Sequence, residues 1–144
     1  MVEKWLSAKQ SDSEMATSLK TTKIIYWIST AILALFIIPG IFFAGSEEAL
    51  KGTAHLGFPR YFHWELSIAK FIGGIVLILP FFPKRIKEWV YVAFGIDFIS
   101  AGIAQVAVDG WGSLWYMALI FFIILIVSYI SYHKIQDAKE ARVV

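Results

Sequence analysis

With 144 residues, 58% of them hydrophobic and 17% aromatic, and a mean hydropathy of +0.68, the chain is far more apolar than a water-soluble domain, which averages about 45–50% apolar residues. A formal net charge of +2, with no basic run longer than the Lys84–Arg85 pair, argues against nucleic acid as a partner. The lack of cysteine excludes disulfides, thiolate chemistry, iron–sulfur ligation and cysteine-bound zinc, so a redox role needs a bound cofactor or a partner to carry the electrons.

Residues 1–22 are charged and carry no sustained apolar stripe, so they read as a flexible or interfacial segment rather than a folded domain. Four apolar segments follow, at about 23–44, 62–82, 89–108 and 113–132. Each is near the ~20 residues that a helix needs to cross a ~30 Å hydrocarbon core. Spanning segments must satisfy their own backbone hydrogen bonds, and at this length that means helices. The run "WYMALIFFIILIVSYISY" has no polar face at all, which argues against a soluble helical core. The first segment is too long for the apolar part of a cleaved signal and lacks a small-residue cleavage site, so it is expected to stay as a helix. Pro39 and Gly40 should bend or loosen its far end.

Between the first two spans, Ser46 before "EEALK" resembles a helix N-cap with acids in the first turn and Gly52 as its stop, predicting a short surface helix. The second and third spans are joined by a short link at "FPKR" and must run antiparallel. "DGWG" between the third and fourth is a tight turn, and residues 133–144 form a charged tail. The expected fold is all-α: an up-down four-helix transmembrane bundle, multi-pass in the cell membrane. Ten lysines and arginines lie in the two terminal segments and the middle link, against Lys51 and Arg60 in the other two connections, so both termini are expected in the cytoplasm. Tyr26, Trp27, Trp89, Tyr91, Tyr129 and Tyr132 are expected to anchor the inner interface, and Tyr61, Trp64, Trp111, Trp115 and Tyr116 the outer one.

Two charges stand inside the apolar runs: Lys70 in the second span and Asp97 in the third. On antiparallel helices, residues equally far from the turn lie at equal depth, and these two stand fourteen and thirteen residues from Lys84. Glu65 and Gln105 fall at a second matched level nearer the outer surface, and Gly73 and Gly95 at a third. Ala93, Asp97, Ala101 and Gln105 form one small or polar stripe, Leu66, Lys70, Gly73 and Gly74 lie three to four apart on the second span, and small residues flanking both charges let helices approach closely in lipid. Burying one ion alone near the bilayer centre costs ~2.5–3.5 kcal/mol, so an intramembrane ion pair between Lys70 and Asp97 is expected, direct or through water. The pair has two readings, a device that fixes helix register or part of a substrate, proton or cofactor site. Glu65, Gln105, Trp64 and Phe98 complete the candidate ligand-binding set, with Glu65 also readable as plainly solvated. His55 and His63 flank Pro59 without metal-ligand spacing, and His133 reads as an interfacial residue, so no metal site is expected. No phosphate loop, nucleophile elbow or dinucleotide fingerprint is present, and no catalytic residue can be assigned.

The stretch from "HLGFPRYFHWEL" through "IAKFIGGIVLILP" and "IKEWVYVAFGID" to "FISAGIAQ" resembles the DoxX-like family, small four-helix membrane proteins. The resemblance implies that Lys70, Pro83, Glu88, Trp89 and Asp97 occupy positions the family pattern favours. Many relatives carry a histidine near the end of the third helix, where this chain has Gln105 followed by Val106. Founding members are similar to membrane subunits of thiosulfate:quinone oxidoreductase, which implies a quinone and redox context. Three functions are compatible with these readings. The bundle could bind a quinone or similar lipophilic molecule, with a redox protein partner supplying electrons. It could be a non-catalytic scaffold or assembly partner. Or it could be a small proton-linked carrier, which with four helices would need to form a homo-oligomer. Membrane lipids are partners in every case.

Overall fold

A computed structural model describes the backbone of residues 1–143 and the side chains of residues 1–141. Proline sets most of the boundaries. Helix α1 (Val2–Ile37) ends just before Pro39, which opens the short helix α2 (Gly40–Phe43). A surface helix α3 (Glu47–His55) precedes Pro59, and α4 (Arg60–Ile78) begins directly after it. Leu79 is held extended (φ −76°, ψ 129°) by the following Pro80, so α4 stops four residues short of the expected 82. Pro83, also extended, launches α5 (Lys84–Asp109), and after the turn at Gly110 the chain runs into α6 (Trp115–Val143). Among the described residues there is no strand.

Residues 2–22, expected to be flexible or interfacial, instead continue α1 without a break, and α6 likewise runs on past residue 132. The reason is local. Neither extension contains glycine or proline, and once a spanning helix is nucleated each added residue needs only propagation. Helix α3 keeps its expected cap, Ser46 Oγ accepting from the Ala49 N–H at 3.2 Å, but it passes through Gly52. It ends instead at Gly57, whose φ of +89° permits the paired bonds Gly57 N–H to the Ala54 carbonyl and Phe58 N–H to the Thr53 carbonyl.

Four helical stretches, α1 with α2, α4, α5 and α6, are long and apolar enough to cross a membrane. They form a ring in which α1 packs against α6 and α4, and α5 against α6 and α4. The two chain ends lie at one end of the ring, called here the terminal end, and α3 lies at the other. The interior carries several polar groups and the exterior is mainly apolar, with Glu65 and Ser100 exposed among its exceptions. Thr30 and Ser128 are wholly buried, with Ser29 and Ser131 beside them, while Ile28, Leu35, Ile72, Ile96 and Ile123 face outward. That reverses the soluble pattern and suits a lipid surround. Three tyrosines expected as interfacial anchors, Tyr26, Tyr91 and Tyr132, are buried in the core instead, because each hydroxyl or ring has a partner there. Gly73 and Gly74 let α4 sit close to its neighbours: a Cβ on Gly73 would come 2.9 Å from the Phe94 ring, and one on Gly74 3.0 Å from Ile38.

Candidate functional site

Lys70 on α4 and Asp97 on α5 meet, with Nζ 3.1 Å from Oδ2. The two ends are unequally enclosed: the Asp97 side chain is 12% exposed, that of Lys70 35%. On the inner side of the pair lies a cavity of about 400 Å³. Ser67, Lys70, Asp97 and Gln105 supply its polar wall, and Phe36, Phe98 and Phe121 its aromatic wall, so α1, α4, α5 and α6 all contribute. Two oxygens at this wall, Gln105 Oε1 and Asp97 Oδ2, lack a hydrogen-bond donor among the described residues, the latter near Lys70 but not aligned with it. A buried amide oxygen without a donor costs about 1–3 kcal/mol, so this cavity has chemistry unspent on folding.

Of the other candidates, Phe98 is on the cavity wall, and Trp64 and Glu65 lie elsewhere. Phe98 stacks between Phe94 and Phe121, as an aromatic wall requires. Trp64 packs edge-on to His63 and over Gly45, outside the cavity lining. Glu65 is exposed and does not line the cavity either. His63 is a structural clasp. Its Nε2–H donates to the Ala44 carbonyl at 2.8 Å, which in the neutral ring leaves Nδ1 to accept from the Thr53 hydroxyl at 2.6 Å. His55 Nε2 lies 2.6 Å from Asp109 Oδ1, so α3 is held to both α4 and α5. Among the described residues no three metal-ligating side chains come together.

A second polar centre, near the terminal end, escaped sequence reasoning. Lys87 is 3% exposed and has no carboxylate partner among the described residues. Its ammonium donates to the Tyr26 hydroxyl at 3.3 Å and the Leu77 carbonyl at 3.4 Å, and lies over the rings of Tyr132 and Tyr26 at 5.5 and 6.0 Å. Leu77 lies in the last turn of α4, so its carbonyl is one of those the helix leaves unpaired, and Lys87 serves as a cation capping that C-terminus. Deeper in the bundle, Tyr91 Oη, Ser128 Oγ and Thr30 Oγ1 form a buried chain with links of 2.7 and 2.8 Å. The missed signal was Pro83: starting the third helix at residue 84 puts Lys87, Tyr91 and Phe94 on one face.

The sequence model described as the DoxX-like family matches residues 28–128, a range that contains every residue lining the cavity. Neither the curated proteins nor the solved structures give a significant match to the chain. With four apolar helices, the match makes this an integral, multi-pass membrane protein.

Proposed function

The chain belongs to the DoxX-like family, and from that premise we propose that its central cavity binds a lipophilic molecule with a polar ring, such as a quinone, and that it serves a redox system as a membrane subunit. The observation that carries this reading is the unpartnered Gln105 Oε1 beside the Lys70–Asp97 pair in a cavity with aromatic walls. The donor set fits a quinone. The Lys70 ammonium can donate to a ring carbonyl, and Gln105 Oε1 and the Asp97 carboxylate can accept from the hydroxyls of the reduced form. Phe98 and Phe121, stacked on one another, offer an aromatic wall against which a flat ring can lie. A bound quinone supplies two-electron redox chemistry. This chain contributes binding and orientation, and a protein partner supplies the electrons, since no thiol is available to carry them. We place the protein in the cell membrane with both termini cytoplasmic, on the lysine and arginine distribution.

Native mass spectrometry of the detergent-purified protein tests the binding role. Wild type should retain a quinone-sized adduct, and Lys70→Leu/Asp97→Leu, folded by circular dichroism, should lose it. Equal retention in both removes the pair from the site. A scaffold role is the second reading, favoured by the first turns of α1: residues 1–18 are exposed and extend roughly 25 Å from the bundle, a length suited to a protein partner. In that reading the ion pair fixes the register of α4 and α5.

A further inference from the structure

Lys70 and Asp97 face two spaces. Behind them lies the central cavity, and in front of them, on the outward surface between α4 and α5, lies a crevice of about 370 Å³ lined by Ala69, Ile72, Gly73, Val90 and Ala93. The ion pair is common to both linings, and no other residue is. Ala69, Ile72 and Ala93 are exposed, so the crevice opens toward lipid. Of the four neighbouring helix pairs around the ring, α4 and α5 touch least. Between α4 and α5, a partition one ion pair thick therefore separates the ring-sized cavity from the crevice.

We infer that the ligand is a tailed lipid: its polar ring occupies the central cavity, its hydrocarbon chain leaves through the α4–α5 crevice, and the Lys70–Asp97 pair is the threshold between them. This rests on the cavity reading above. A space of about 400 Å³ holds a ring but not a long chain. Lipid is as apolar as any protein groove, so drawing the chain fully inside would gain nothing. A lateral opening lets the chain stay in the bilayer while the ring finds its polar partners. Lys70 suits a threshold because it is partly exposed and its flexible stem can swing aside, whereas Asp97 is more enclosed. The groove between α5 and α6 at Gly102, Trp111 and Trp115 is the competing exit. It meets the cavity at Phe98 and Ala118, away from the charged pair.

Binding of two probes to the full chain in lipid nanodiscs decides the matter: a substituted benzoquinone without a tail, and the same ring with a ten-carbon tail. Ala69→Phe/Ala93→Phe fills the crevice from its exposed rim without entering the core. It should weaken the tailed probe by about tenfold or more and leave the tail-less one unchanged, while Gly102→Phe should affect neither. Unchanged binding of the tailed probe to the filled variant overturns the crevice as its path and leaves the cavity standing; failure of both probes on wild type overturns the cavity as well. A tailed probe carrying a terminal diazirine gives a second measurement on wild type, independent of how the variant folds. Labelling of peptides from α4 and α5 flanking the crevice supports the path, and labelling confined to α6, or spread as for a bulk acyl chain, overturns it.

Discussion

Two lysines in this protein are kept from water by different means, and their variants should behave differently. Lys70 answers Asp97, so removing one partner strands the other: Asp97→Leu should lower stability by about 3 kcal/mol, while Lys70→Leu/Asp97→Leu should return to within about 1 kcal/mol of wild type. Thermal unfolding in detergent, arranged as a double-mutant cycle, measures the difference, and equal losses in single and double variants would deny the coupling. Lys87 answers neutral oxygens and two tyrosine rings. In Lys87→Met the Tyr26 hydroxyl still donates to the Leu77 carbonyl at 3.4 Å, so the expected loss is smaller, about 1–2 kcal/mol. Gln105 should show the opposite sign. Gln105→Leu removes a buried amide oxygen that lacks a donor and should raise stability by roughly 1 kcal/mol while weakening quinone binding, a trade that a purely structural glutamine would not make.

At the scale of elements, prolines and close contacts decide what each helix can do. The α4–α5 wall of the cavity was legible because a short link between antiparallel helices ties depth to distance from the turn, which puts Lys70 opposite Asp97. The other wall was not. The spanning parts of α1 and α6 are apolar on nearly all sides, so no periodicity says which face looks inward, and isolated hydroxyls such as those of Ser29, Thr30, Ser128 and Ser131 marked it. The burial of Lys87 depended on where α5 begins, and moving that start by five residues turns a loop charge into a core one. Close packing can be tested directly. Gly73→Ala presses a methyl to 2.9 Å from the buried Phe94 ring and should cost about 1–3 kcal/mol, whereas Gly40→Ala, with nothing within 4 Å, should be neutral in the same melting experiment. The clasp on α3 gives a further element-scale test. His63→Ala releases contacts to Thr53 and the Ala44 carbonyl, and amide exchange across Glu47–His55 should quicken by about tenfold while α5 and α6 keep their protection.

For the molecule as a whole, the inside-out distribution of polar groups, the ring of four helices and the charge asymmetry bear on one another. Buried hydroxyls hold helices together where lipid supplies no hydrophobic reason to associate, and the outward isoleucines and phenylalanines meet acyl chains. Charges at the two ends then govern orientation. Lys87 is buried and leaves the count of loop charges, but the terminal end still holds nine lysines and arginines against two at the end bearing α3. The continuous helices sharpen the test, since Asp12 on α1 and Lys139 on α6 are exposed at the terminal end and Lys51 on α3 at the other. The chain has no cysteine, so single substitutions report without background. In intact cells a membrane-impermeant maleimide should label Lys51→Cys and spare Asp12→Cys and Lys139→Cys, with all three labelled after lysis. The reverse pattern would invert the protein and void the charge rule for this chain. Labelling of one terminal site alone would place the termini on opposite sides, which an even number of crossings forbids, and would break the four-helix ring on which the cavity depends.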